Sequence, residues 1–264
     1  MNRREILAGL DVGQINTRAV IMRRQDILGY CTVPTGFNAV SAAQAALNEA
    51  LDKVGISQSE LAGIVATGSC RDMICNIPPL NATRLVLEYV ADAKGALFLN
   101  NNSRTVIIID GNVSKAIRYD QNGNVLDVAN NDKCADGIGI FYTAITRDLG
   151  LSEQEMSKLA LGATKNTPIA VQCAVSAESE VVALMCEGVD IAEAANAILK
   201  FIAERTAAMC ASMSLEKEIV VAGGLAKSRA FVKHLSSLMK QDVSALAIPE
   251  YASAIGAVVT SHEG

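Results

Sequence analysis

The chain has 264 residues, half of them hydrophobic, enough apolar material for one large domain or two lobes. A net charge of -5, no cluster of Lys or Arg, and only 4% aromatic residues exclude the electrostatic footprint and stacking platforms of a nucleic-acid-binding protein. The longest apolar runs, Val106 to Ile109 and Ile219 to Ala222, fall far short of the roughly 20 residues of a membrane span, and the opening Met-Asn-Arg-Arg-Glu lacks an apolar signal core. A cytoplasmic protein with no membrane partner is expected.

In chain order, Glu5 to Met22 reads as strand, glycine turn and second strand, a hairpin with polar groups at its bend. Val40 to Val54 has apolar residues at helical spacing, and Leu61 to Thr67 is a buried strand ending at Gly68. The stretch from Ala82 through Leu99 reads as a helix. Thr105 to Tyr119 repeats the opening pattern of hydrophobic strand, Asp110-Gly111, small polar turn and strand, so a duplicated architecture is expected. Helices are predicted over Ile138 to Leu149, stopped by Gly150, over Val175 to Cys186, and over Ile191 to Met213. Glu218 to Ala222 is a strand that breaks at Gly223-Gly224 into a helix through Met239. The segment from Tyr251 is a helix of small residues that packs closely. No low-complexity linker interrupts the chain. The expected lobes are 1–100, to which the C-terminal helix can return, and 101–264.

Seven cysteines, an odd number with no Cys-x-x-Cys pair, argue against a disulfide framework and a self-contained zinc site. Cys31, Cys186 and Cys210 read as small core hydrophobes, and Cys70 and Cys75 as structural. Cys134 and Cys173 differ, because each precedes a helix start, where unpaired N–H groups and the positive end of the dipole favour a thiolate. Two thiols are half the ligand set of a four-ligand cluster.

The hairpin motif Asp11-Val-Gly13-Gln14-Ile-Asn16-Thr17 can hold phosphate without a lysine loop. Glycine lets backbone N–H groups approach the anion, a hydroxyl adds a donor, and a carboxylate holds a magnesium-bound water. The second hairpin offers Asp110, Gly111, Asn112, Ser114 and Lys115 in the same way. These hairpins, with the Ala66-Thr67-Gly68 and Ala222-Gly223-Gly224 turns in that order, resemble the actin, Hsp70 and sugar-kinase ATPase superfamily. That resemblance implies an α/β fold of two ribonuclease-H-like lobes with an ATP cleft between them, the late Gly-Gly turn lying against the adenosine.

Three further blocks sharpen the resemblance: Asn131-Asp-Lys-Cys134-Ala-Asp-Gly137-Ile-Gly139, Cys173-Ala-Val-Ser-Ala-Glu178-Ser-Glu180, and Val221-Ala-Gly223-Gly224-Leu-Ala-Lys227. Over nearly its whole length the chain resembles the BadF/BadG/BcrA/BcrD ATPase family, the activators of 2-hydroxyacyl-CoA dehydratases and the ATP-binding subunits of benzoyl-CoA reductases. The resemblance implies an ATP-hydrolysing enzyme that uses Mg2+ and one 4Fe-4S cluster per dimer, with Cys134 and Cys173 as each subunit's ligands. It implies an electron taken from a ferredoxin or flavodoxin and driven to an acyl-CoA dehydratase or reductase in an anaerobic cytoplasm. The dimer is a homodimer or a heterodimer with a related ATPase subunit. Asp11 and Asp110 are then the catalytic carboxylates. Gly13, Gln14, Asn16, Thr17, Gly111, Asn112, Ser114, Lys115, Glu178, Gly223, Gly224 and Lys227 are the nucleotide set. Lys115 and Lys227 also fit solvated charges, and Glu178 and Glu180 also fit first-turn helix acids or a hinge.

The chain departs from the family at Gln14-Ile15, where activators carry Ser-Thr, and in the second turn, where gapless alignment puts Ile108 and Val113 at acidic positions. Asp92 stands where a histidine often does. These departures and the Ala116 to Asp120 run are more like the D-type reductase subunit, and they predict weakened hydrolysis. Two alternatives stay open: a small-molecule kinase of the same fold, which needs a catalytic aspartate, and a nucleotide-binding sensor without strong ATPase activity.

Overall fold

A computed structural model describes residues 6–109 and 111–262. The chain divides into two units, the first comprising 1–103, 119–126 and 250–264, the second 104–118 and 127–249. Relative to a break at 100, the first unit also takes 101–103 and 119–126, and it includes the final helix that was expected as able to return to it.

In the first unit, β1 (Ile6–Val12), β2 (Asn16–Arg23), β3 (Asp26–Pro34), β4 (Gly63–Thr67) and β5 (Arg84–Leu85) form a sheet of order β3-β2-β1-β4-β5. β1 is antiparallel to β2 and parallel to β4. Alternation along β1 divides its two faces. Ile6, Ala8, Leu10 and Val12 join the core cluster with α1 (Ala39–Val54), while a Cβ at Gly9 would strike the Ala254 carbonyl of α8 (Ala252–His262). α1 forms because Ala42, Ala43, Ala46, Leu47 and Ala50 recur at helical spacing. The Asn38 side chain caps its N-terminus by accepting from Ser41 N–H, and Gly55 ends it at a φ of 72°.

The expected helix over Ala82 to Leu99 is shorter: Arg84 and Leu85 pair in parallel with Val65 and Ala66 as β5, and α2 spans Glu88–Leu99. The β4 edge supplies backbone partners that a continued helix would leave unpaired. α2 meets α8 through glycines, since a Cβ at Gly95 would overlap the Ala252 carbonyl and one at Gly256 the Ala91 carbonyl. Asp92 is buried on α2 and accepts the Ser253 hydroxyl of α8.

The second unit repeats the topology. β6 (Thr105–Ile109), β7 (Ser114–Tyr119), β8 (Val125–Asn130), β9 (Ile219–Ala222) and β10 (Val243–Ala245) are ordered β8-β7-β6-β9-β10, with β6 antiparallel to β7 and parallel to β9. The duplicated hairpins thus sit in matching places of two sheets. Helices α3 (Ile138–Asp148), α4 (Glu153–Gly162), α5 (Ala174–Cys186), α6 (Ile191–Cys210) and α7 (Arg229–Met239) build the rest. α6 is the central one, burying Ile198, Phe201 and Ile202; each fully buried side chain of this size contributes roughly 1.5–3 kcal/mol. α4, β3, β8 and β10 are additions to the elements read from sequence. Cys31 and Cys210 are buried in the cores as expected, but Cys186 ends α5 exposed. No helix among the described residues is long and apolar enough to cross a membrane.

Candidate functional site

The first turn lies at the β1–β2 bend. Gly13 N–H donates to Asn16 C=O at 3.2 Å, closing the turn, and a Cβ on Gly13 would lie 2.8 Å from that same oxygen. The Thr35 hydroxyl donates to Gly13 C=O at 2.7 Å, so its only proton is committed, and the Thr17 hydroxyl 2.9 Å away must donate to Thr35. Thr17 is fully buried and braces the turn; its proton is not presented outward. Gln14 is exposed, with Asn16 partly so.

Strand register brings two residues to Asp11. Arg18 is its antiparallel partner and donates from Nη1 to Oδ2 at 3.2 Å, and Thr67 is its parallel neighbour. Asp11 is buried, and Gly68 approaches so closely that a Cβ there would lie 2.6 Å from Asp11 Oδ1. The Thr67 hydroxyl is fully buried with no hydrogen-bond partner among the described residues. Such a buried hydroxyl beside a carboxylate is fitted to meet something polar that enters the turn. Sequence reading named Thr67 only as part of a turn and passed over Arg18; the signal for both is the register.

In the second turn Asp110 lies outside the described residues. Gly111 C=O accepts Ile140 N–H at 3.0 Å and Asn112 C=O accepts Gly137 N–H at 2.8 Å. Ser114 N–H donates to Asn131 Oδ1 at 2.6 Å, while the Ser114 hydroxyl is buried without a partner among the described residues. Lys115 is buried, so it is no solvated charge; Val113 is exposed at the position of the aligned acid. The Gly223-Gly224 turn adjoins this bend, because β9 runs beside β6. Gly223 has a φ of 85°, a Cβ there would lie 2.8 Å from Ile109 C=O, and its N–H donates to Pro249 C=O at 2.9 Å. Gly224 is partly exposed, and Lys227 and Glu178 are exposed.

Cys173 is the N-cap of α5 and half-buried. Its thiol lies against the N–H groups of Ser176 and Val175, which favour the thiolate and hold its pKa below the ordinary thiol value without a full capping hydrogen bond. The loop before it is pinned by acids. Glu180 Oε2 accepts Ala170 N–H at 2.7 Å, so Glu180 acts within its own unit, and Glu193 accepts the N–H groups of Thr164 and Lys165 at 2.9 Å each. Cys134 is exposed in a single 3-10 turn, Lys133–Ala135, capped by the Asp132 side chain, and α3 begins at Ile138. α3 and α5 pack against each other. All seven cysteines are free thiols. No group of three or more His, Cys, Asp or Glu among the described residues could hold a metal by itself. Two accessible thiols, one poised as thiolate, are suited to a thiophilic group but do not complete a ligand set among the described residues.

Two sheets, each a hairpin continued by parallel strands, with glycine turns at the hairpin bends, define the fold of the actin, Hsp70 and sugar-kinase ATPases. A glucokinase from Streptomyces griseus shares it at a TM-score of 0.60 and 13% identity over 98% of this chain and 100% of that one, a likeness of fold alone. A sequence model of the BadF/BadG/BcrA/BcrD ATPase family matches residues 8–261, and the chain belongs to that family. It is 33% identical over 256 residues to an activator of lactoyl-CoA dehydratase from Anaerotignum propionicum, covering 97% of this chain and 96% of that protein. The D-type subunit of benzoyl-CoA reductase from Thauera aromatica is 29% identical over 223 residues, covering 82% and 77%. The activator of 2-hydroxyisocaproyl-CoA dehydratase from Clostridium difficile, solved with ADPNP, superimposes at a TM-score of 0.90 with 25% identity, covering 98% and 94%.

Proposed function

We propose that this chain is an ATP-dependent activator that hydrolyses ATP with Mg2+ and delivers a low-potential electron to an acyl-CoA dehydratase or a benzoyl-CoA-type reductase. The carrier is a 4Fe-4S cluster shared by two chains, each giving Cys134 and Cys173. The observation that carries this reading is Cys173 at the N-cap of α5, its thiolate favoured by the Ser176 and Val175 N–H groups, in a chain with no complete metal site of its own among the described residues. Bound there, the cluster would supply one-electron chemistry, reduced by a ferredoxin or flavodoxin. Thiolate ligation suits a reducing, oxygen-poor cytoplasm.

The chain's own residues have the following parts. Gly13, Gln14 and Asn16 would present the first turn to phosphate, Thr17 keeps its shape, Asp11 would hold a magnesium-bound water, and Arg18, paired with Asp11, would offer a cation to the anion. Gly111, Asn112 and Ser114 serve in the second turn with Lys115 as buried counter-charge; Asp110 is the acid there. Gly223, Gly224 and Lys227 face the nucleoside. With Thr17 committed to Thr35 and Val113 replacing an acid, phosphate contacts fall mainly to backbone N–H groups. Binding is retained on this reading and hydrolysis is slowed.

The test is anaerobic purification with measurement of iron and acid-labile sulfide. About four of each per dimer is expected for a shared cubane, and Cys134→Ser or Cys173→Ser should lose both while still binding nucleotide. A full cluster in both variants would overturn the ligand assignment. No iron after reconstitution would return the kinase and sensor alternatives to the front.

A further inference from the structure

We infer that Asn131 is a positioning residue that ties the second phosphate turn to the turn carrying Cys134, so that a nucleotide at one alters the other. Each polar atom of its side chain serves one of these turns. Oδ1 accepts Ser114 N–H at 2.6 Å, whereas Nδ2 donates to Asp132 C=O at 2.9 Å and to Asp136 Oδ1 at 2.8 Å. Its backbone N–H also donates to Ser114 C=O at 3.1 Å. Asp132 and Asp136 flank Cys134, and Asp132 is itself fixed, its Oδ2 accepting from Arg205 Nη2 at 2.8 Å and its Oδ1 from Ala135 N–H.

The planar amide fixes the separation of Oδ1 and Nδ2, so a shift of Ser114 that keeps its bond to Oδ1 is passed on to the bonds that Nδ2 makes with Asp132 and Asp136. Two backbone bonds run alongside, from Gly137 N–H to Asn112 C=O and from Ile140 N–H to Gly111 C=O. Those run from α3 and its N-cap, beyond Cys134 in the chain; Asn131 is the side-chain link on the other flank. Cys134 is therefore held between two attachments to the same phosphate turn.

This inference rests on the nucleotide reading of that turn, but its readout needs no cluster. The full chain is stripped of metal by chelation, and iodoacetamide labelling of Cys134 is followed by peptide mass spectrometry with and without ADPNP. In the native chain ADPNP should change the rate about fivefold, within what one net hydrogen bond carries. Asn131→Asp keeps the acceptor for Ser114 but sets a carboxylate against Asp132 C=O and Asp136. The ADPNP effect should fall below about 1.5-fold while ADPNP affinity stays within about threefold. Adding Asp136→Asn restores one bond with donor and acceptor exchanged and should recover part of the effect. If Asn131→Asp fails to fold, Asp136→Ala removes one link and should halve the response.

A native chain whose Cys134 ignores bound ADPNP, or variants that respond as it does, would overturn the inference. Failure to bind ADPNP would overturn both this inference and the nucleotide reading. An intact ADPNP effect in a chain that never takes up iron would overturn the cluster alone.

Discussion

Gly68→Ala strikes the β1–β2 bend where its backbone and the Asp11 carboxylate meet. Gly68 has a φ of 93°, and a Cβ there would lie 2.5 Å from Val12 C=O and 2.6 Å from Asp11 Oδ1. The left-handed conformation costs a residue with a Cβ roughly 1–2 kcal/mol. The overlap adds roughly 1–3 kcal/mol, because Val12 C=O is held by Cys70 N–H at 2.8 Å and cannot retreat alone. A central sum of about 3.5 kcal/mol corresponds to a fall in Tm of about 7–14 °C for a chain of this size. Asp11 is the more mobile neighbour, so its carboxylate should also be displaced, lowering ADPNP affinity by about tenfold or more, an effect of about 1.4 kcal/mol. Gly36→Ala is the control: its φ is 58° but nothing lies within 4 Å of its Cβ position, so it should show the strain alone and bind ADPNP normally. Thermal unfolding and calorimetric titration of the three proteins decide the matter. A Gly68→Ala protein that melts and binds like the native chain would refute the reasoning.

Two predictions concern the loop and helix that carry Cys173. Ser176→Pro removes the N–H that most favours the Cys173 thiolate, at the third residue of α5, where the N–H has no intrahelical acceptor to lose; the pH midpoint of Cys173 alkylation should rise toward the ordinary thiol value of 9.0, and an unmoved midpoint would refute the cause given. Glu193 is held below the usual carboxylate range, first by Lys165 N–H, so its stabilisation is complete above its unfolded pKa and lost as pH falls through the lower folded one. Glu193→Gln should therefore flatten the decline in Tm on acidification below about pH 4.5, the ordinary value, and an identical decline in both proteins would remove Glu193 as a source of acid sensitivity.

The repeated hairpins were legible because hydrophobic strands broken by Asp-Gly turns carry a period-2 signal that needs no partner to be seen. α1, α3, α5 and α6 were legible for the same local reason, and their ends fell near the glycines and caps that stop them. β5 was not: Arg84 and Leu85 have no strand pattern, and only the exposed edge of β4 makes them one. β3 and β8 were hidden likewise, since each completes a meander whose need for a third strand arises from the sheet. Residue type alone makes Cys186 a core candidate, yet it falls on the exposed side at the end of α5, where only Ala174, Ala177 and Val181 are buried.

For the candidate site, contiguous motifs singled out Cys134, Cys173 and the glycine turns, but a motif names residues and leaves open which of their atoms are engaged. Thr17 illustrates the difference. Its position suggested a hydroxyl for phosphate, and the Thr35 hydroxyl beside it, whose own proton goes to Gly13 C=O, takes that proton into the turn. Arg18 and Thr67 come to Asp11 from the strands on either side of it, a meeting set by register: Arg18 directly follows the recognised motif, whereas no short motif reaches from Asp11 to Thr67. Asn131 stood inside a recognised motif as a neighbour of Cys134, yet its Oδ1 reaches back 17 residues to Ser114. A residue three places before Cys134 in sequence is thus bound to the β6–β7 turn in space, and on the proposed reading that dual attachment is what would let one short segment serve both sites.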